Sequence, residues 1–429
     1  MAPPDLRRPF KRLPVSDQQK RRELALARQA QSRRDSQHHA RCIASSVISL
    51  QNREDPQVEI EIEPEAESEL SPTSASSLSS RDFDVLQASK LRGPEVRKWF
   101  ARQLMLPEWM IDVPPRLNSD WYLLARPAGK RCFVVSSNGT TVSRLRNGSI
   151  LHHFPSALPN GARTKDISGP AHSFSILDCI FHEPDQTYYV IDMLCWRGYS
   201  LYDCSAEFRF FWLNSKLAET GACDPPSLYH RYRFSSVPIY ECDHIGLHEA
   251  YMGVSPYTKD GLLFYNKHAH YQTGNTPLAL VWKDENCSLY ILDTDNKGQV
   301  PAQQQVVLEL HDDGKLTTSD DPPVVCGCLD TDFLQQSGLQ SGSLLRFVIG
   351  EGGLRFVDGK LEMADIHYIG KVNRARAFAD GYSKILFQYN ARRSPLKIDD
   401  LVASISPCHN QEDGSPDVEM IDNDAKGRG

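Results

Sequence analysis

The chain reads as an α+β protein of mostly antiparallel, twisted sheets, preceded by a long basic helical arm and a disordered linker. Three observations predict this. Short runs rich in β-branched and aromatic residues recur from residue 121 onward, each bounded by Gly, Asn, Asp or Pro. Asn138-Gly139 and Asn147-Gly148 sit between such runs, where they favour tight hairpins. Charge is segregated: residues 1–45 carry 11 Lys and Arg against four acids, whereas residues 54–69 carry eight acids and no base. The formal net charge of −7 therefore describes neither end of the molecule.

The arm comprises residues 1–45. Pro3, Pro4, Pro9 and Pro14 keep its start extended. Ser16 and Gln19 have the spacing of a capping box, and a helix of about 40 Å follows to Ala44. Its apolar residues are sparse (Leu24, Leu26, Ala27, Ala30, Ala40 and Ile43), so it is expected to fold on a partner rather than on its own domain. Residues 46–93 are acidic, then Ser-rich, and cannot bury a core.

The compact part, residues 94–300, opens with a short amphipathic helix over 95–105. Strands are expected at 121–125, 132–136, 187–195, 207–213, 261–265 and 278–282. Residues 301–408 continue or extend this sheet. Strands are expected at 288–292, 305–310, 344–349, 354–357 and 384–389, with a helix over 371–380. The tail, 409–429, is acidic.

No apolar run is long enough to span a bilayer, and the basic N-terminus is unlike a secretory signal, so the chain is expected to be intracellular. Eleven cysteines in such a chain are expected to be reduced. Cys326-Gly-Cys328 is too tight for a usual zinc pair, and neither a metal nor a cofactor is expected.

Arg126-Pro-Ala-Gly-Lys-Arg131, Ser175–Phe181, Asp260–Phe264 and Leu280-Val-Trp-Lys283 follow one another as do the motifs of covalent nucleotidyltransferases, the mRNA capping enzymes and polynucleotide ligases. The resemblance implies a nucleotidyltransferase-like fold with a nucleotide pocket. Arg126 stands where those enzymes have a nucleophilic lysine, and Ala128 where they have an aspartate. A guanidinium keeps its proton and does not attack phosphate, so no catalytic residue and no enzyme activity are expected.

Gln103–Pro114, Tyr188–Gly198 running on through Tyr202–Phe210, and Gly261–Tyr265 with His268, His270, Tyr271 and Thr276-Pro-Leu are closer still to another family. Together with the basic helix they resemble snurportins, the import adaptors of spliceosomal small nuclear ribonucleoproteins. The likeness covers residues 95–283 and, less strongly, the arm. It implies binding of the 2,2,7-trimethylguanosine cap of small nuclear RNA, an importin-β-binding arm, a monomer, and shuttling between nucleus and cytoplasm. It also implies a recycling exportin, although relatives carry a leucine-rich extension where this chain starts almost directly with Pro3-Pro-Asp-Leu-Arg-Arg8. An active RNA guanylyltransferase and a generic importin-β cargo with another ligand are the rival readings.

By the same resemblance, Trp282 is the stacking platform for the methylated base. Its positive charge is delocalised and suits an indole face. Leu106 and Trp109 line the base and its N2-methyl groups, and Pro107 replaces a serine, leaving only a backbone contact. Arg146 meets the phosphate bridge, with Lys130 and Arg131 as further phosphate candidates. Arg197 is expected to be paired inside the sheet. Arg21, Arg22, Arg28, Arg33, Arg34 and Arg41 are the expected importin-β contacts.

Overall fold

The computed structural model describes residues 17–31, 36–51, 93–163, 173–295, 297–357, 360–372 and 376–405. Arg33, Arg34, Ser16, nearly all of the acidic and Ser-rich segment, and the acidic tail lie outside these residues.

Two arm helices come first, α1 (Asp17–Gln31) and α2 (Ser36–Gln51), then α3 (Pro94–Ala101) and β1 (Met105–Trp109). A one-turn α4 (Leu117–Asp120) leads into β2 (Trp121–Pro127), β3 (Lys130–Ser137), β4 (Thr140–Leu145), β5 (Ile150–Phe154), β6 (Ser175–His182), β7 (Thr187–Trp196) and β8 (Tyr199–Ser200). There follow α5 (Ala206–Lys216), a 3₁₀ turn (Leu217–Thr220), β9 (Arg233–Ser236), β10 (Tyr240–Glu241), α6 (His244–Tyr251), β11 (Lys259–Asn266) and β12 (Gly274–Trp282). Beyond these lie β13 (Gln305–Leu310), β14 (Lys315–Thr317), β15 (Val325–Cys328), α7 (Thr331–Ser337), β16 (Leu344–Val357), β17 (Lys360–Lys371), α8 (Tyr382–Ala391) and α9 (Ile398–Ile405).

Two sheets face each other. One has the order β1-β12-β11-β2-β10; the other runs β5-β4-β3-β6-β7-β8, with β9 paired to β7. Of the pairings in these two sheets, only β1 with β12 and β7 with β9 are parallel. Strand alternation sorts the side chains. Leu124, Leu263, Ala279 and Val281 from the first sheet meet Phe133, Val135, Ile176 and Ile191 from the second. The outer face of the second sheet is covered by Leu213 of α5 and Leu217. Trp121, Leu262, Leu280 and Trp282 line the outer face of the first sheet, beneath Leu247 of α6, Phe387 of α8 and Leu401 and Ile405 of α9.

The C-terminal region is a separate small barrel, which settles the choice the sequence leaves open. Its order is β15-β14-β13-β16-β17, with α7 between β15 and β16, and β17 returns beside β15. This is the connectivity of an OB-type barrel. Helix α8 wedges it to the sandwich: Tyr382, Ile385 and Leu386 enter the barrel core, and Phe387 the sandwich.

Five expectations are corrected. Residues 207–213 are helical, not extended: Ser205 caps α5 by accepting from the Phe208 N–H, and Ala206, Phe210 and Leu213 recur at helical spacing on its buried side. Residues 384–389 are helical for the same kind of reason, burying neighbours on two sides. Residues 288–292 form no strand, and the described part of 371–380 has no helix. Arg197 is exposed in the left-handed turn between β7 and β8 (φ 49°). The arginine held inside is Arg209, which forks onto Asp192 at 2.8 and 2.9 Å and donates to the Cys204 and Ala269 carbonyls.

The arm is also corrected: it docks. Gln18 is completely buried and donates to the Glu108 carboxylate (2.9 Å) and the Trp109 carbonyl (3.0 Å), while Arg21 pairs with Glu108. Gln29 bonds both the His268 carbonyl and the His270 N–H, and Gln37 bonds the Gly198 carbonyl and Ser200 N–H. Ala40, Ile43, Ala44 and Val47 of α2 enter the inter-sheet core. Paired amide bonds to main chain thus do for α1 what an apolar stripe does for α2.

Candidate nucleotide cleft

The turn joining β2 to β3 starts the site. Gly129 lies at φ 142°, and a β-carbon there would stand 2.3 Å from the Phe181 carbonyl oxygen, so only glycine brings the turn onto β6. Arg126 and Arg131 stand on either side of the turn, each partly buried and each paired with a buried carboxylate. Arg131 forks onto the fully buried Asp178 (3.0 and 2.7 Å). Burial works against its charge, but Asp178 outweighs it and holds the guanidinium above its ordinary value. Tyr271 donates to the same carboxylate (2.7 Å) and accepts from the Met105 N–H (2.9 Å), tying the start of β1 to the cleft floor.

Asp260 is the second anchor. It pairs with Arg126, accepts from Lys283 Nζ (2.6 Å) and from the Leu289 N–H (3.3 Å). Burial pushes both cations below their ordinary values, and Asp260 opposes that shift. The Lys283 ammonium lies 5.8 Å from the Trp109 ring centre and 4.6 Å from that of Tyr290. Trp109 itself packs on Phe387 (4.9 Å), and its main-chain N–H donates to Ser383 Oγ (3.0 Å).

Arg146, just beyond β4, forms the other end. It is open to solvent and makes no hydrogen bond or ion pair among the described residues. Loss of hydration in the cleft, then the Arg131 and Arg376 guanidiniums, push it down to about 10, with Asp380 opposing. An unpaired guanidinium facing other cations is what an incoming phosphate would relieve.

The expected residues therefore divide. Arg131 and Arg146 share the cleft with Arg126, Lys283 and Asp260. Leu106 and Pro107 lie on β1 beside Trp109, with Leu106 buried in the inter-sheet core. Lys130 points to the opposite face of β3 from Arg131 and pairs with exposed Glu183. Trp282 is completely buried on the outer face of its sheet, and its N–H donates to the Leu396 carbonyl (3.1 Å). Its expected stacking role is closed to it in this fold, because Val281 and Lys283 take the cleft side of the strand. Among the arm residues, Arg22 is buried over Trp121 (5.9 Å), whereas Arg28 and Arg41 are exposed. Sequence reasoning passed over Lys283 and Tyr290. The signal for Lys283 was its place one residue after Trp282, hence on the other face of the strand.

Among solved structures, the chain is similar to a mycobacterial DNA ligase D complexed with ATP and MES, at 14% identity and TM-score 0.32, covering 63% of this chain and 95% of that one. It is similar also to the ligase domain of M. tuberculosis LigD, at 13% identity and TM-score 0.30, covering 64% and 95%. A third is a Lig E DNA ligase, at 13% identity and TM-score 0.27, covering 63% and 98%. Likenesses this slight carry no argument about the cleft. The family model described as "Snurportin1, m3G cap-binding domain" matches residues 103–284, a span that starts just before β1 and ends just after Lys283. It takes in both facing sheets and most of the cleft residues, so over that span the chain matches the cap-binding domain of snurportins.

Proposed function

We propose that the cleft binds the 2,2,7-trimethylguanosine cap of small nuclear RNA, and that the chain is a non-enzymatic import adaptor linking capped ribonucleoproteins to importin-β as it shuttles between cytoplasm and nucleus. The observation that carries this reading is the polarity of the cleft. Trp109 stands beside Lys283, Arg126 shares the Asp260 carboxylate with Lys283, and Arg131 and Arg146 continue the line of cations, which matches a methylated base joined to a phosphate bridge. Leu106 and Pro107 give the N2-methyl groups apolar neighbours, each methyl contributing about 1 kcal/mol if buried. Arg126, locked to Asp260, takes the place of a nucleophile, so the cleft holds a finished cap.

The test is a fluorescence titration of the full chain with trimethylated cap analogue, monomethylated analogue and GTP. Tight quenching by the trimethylated analogue is expected, lost in Trp109→Ala. Trp282→Ala should lower the unfolding midpoint and keep the preference among analogues. Equal affinity for all three ligands would reject the cap reading. A covalent label left by radiolabelled GTP would favour a guanylyltransferase.

The arm supports the importin-β part through its charge. An acidic superhelical partner suits arm helices carrying Arg21, Arg22 and Arg28 on α1 and Arg41 on α2. Because Arg22 is buried and Arg21 paired with Glu108, that partner must lift α1 off β1. Alanine at both Gln29 and Gln37 loosens docking while leaving every arginine in place. Importin-β should bind this variant severalfold more tightly than the parent, since less binding energy goes into opening. Unchanged affinity would show that docking does not oppose capture.

A further inference from the structure

We infer that Tyr290 is an aromatic wall of this cleft, stacking on the positively charged purine and thereby selecting N7-methylated guanine. The inference rests on the cap reading above and names a residue beyond the 103–284 span that matches the family model.

The geometry begins with the buried ion pair. Asp260 fixes Lys283 Nζ at 2.6 Å and holds the main chain beside Tyr290 through the Leu289 N–H at 3.3 Å. The Tyr290 side chain is nevertheless half open to solvent, at 51% exposure, with its ring centre 4.6 Å from the ammonium. Trp109 reaches the same ammonium at 5.8 Å. A cation thus already lies near two aromatic rings, one of them half exposed. A ring carrying delocalised positive charge meets the same attraction from an aromatic face as the ammonium does, and adds stacking area. Neutral guanine gains the stacking and not the charge term, so the tyrosine face would favour the methylated base. Lys283, anchored by Asp260, remains available to the ribose or first phosphate.

A tyrosine that merely shields the Lys283–Asp260 pair from water predicts a different outcome, and selectivity separates the two. The full chain and its Tyr290→Ala, Tyr290→Leu and Tyr290→Phe variants are titrated with N7-methylated and unmethylated dinucleotide cap analogues. Loss of one stacked aromatic is expected to weaken the methylated analogue about tenfold in the alanine and leucine variants. The unmethylated analogue should weaken distinctly less, and phenylalanine should restore the parent ratio. Equal loss for both analogues, or none for either, in a parent chain that binds cap would overturn the role of Tyr290 and leave the cap reading standing. A parent chain that binds neither analogue would overturn the cap reading and this inference with it.

Discussion

Arg209→Ala is expected to destabilise the sandwich by about 3–5 kcal/mol, the usual result of stranding one member of a buried ion pair. Arg209 and Asp192 are both completely buried. The guanidinium also ties the Cys204 and Ala269 carbonyls to the sheet, so its loss would leave the buried Asp192 charge with only the Met193 N–H and would take a donor from two main-chain acceptors. Chemical denaturation of the full chain, followed by tryptophan fluorescence, should show the midpoint falling steeply. Replacing Asp192 and Arg209 together by apolar residues of similar volume should recover part of the loss, because no buried charge then remains. A single variant within about 1 kcal/mol of the parent would mean that the site opens to water when the arginine is removed.

Arg146→Ala is expected to weaken capped ligand by about 10- to 100-fold, the effect of removing a charged hydrogen bond of about 1.5–3 kcal/mol. The fold should not change, since Arg146 makes no hydrogen bond or ion pair among the described residues. Part of the binding should return in Arg146→Lys, which restores charge without the planar fork. The parent's affinity should fall as salt is raised, and less steeply in the alanine variant, because one fewer cation then meets the phosphates. The comparison with Arg131→Ala is informative: Arg131 is committed to Asp178, so its removal should cost stability as well as affinity. Undiminished affinity in Arg146→Ala would place the phosphates elsewhere.

The two arginines differ in how far the sequence reveals them. Arg131 lies in a strand whose alternation is legible, since Phe133 and Val135 share its face. Arg146 follows a strand that ends in an Asn-Gly turn, so its exposure was legible too. Trp282 was not. Every residue from Thr276 to Trp282 is buried, because β12 is covered on both sides. A strand buried on both faces has no polar side to mark which face meets the ligand. The family likeness selected the tryptophan, and only the packing of Phe387, Leu401 and Leu396 over it showed that it points away.

The arm and α5 make the same point. Phe208-Arg-Phe-Phe-Trp212 has strand composition, yet one N-cap and an i, i+4, i+7 row of buried side chains make it a helix. The arm has almost no apolar stripe in α1, and the amides of Gln18 and Gln29, bonded to main chain, dock that helix instead. Such bonds leave little trace in composition, because a glutamine in solvent and one in a built contact are the same letter.

By itself the sequence determined the α+β class, most of the expected strands, the two Asn-Gly hairpins, the basic arm, and the arginine that the motif likeness puts where a lysine would stand. These depend on backbone preference, alternation and chemical identity, which neighbours in sequence decide. Tertiary structure alone decided which face of β12 meets the cleft, that Asp260 gathers Arg126 and Lys283, that Tyr290 stands beside them, and that the arm lies on β1. Those facts depend on which layers cover each sheet and on contacts between residues far apart in sequence, where the energy comes from burial and pairing rather than local preference.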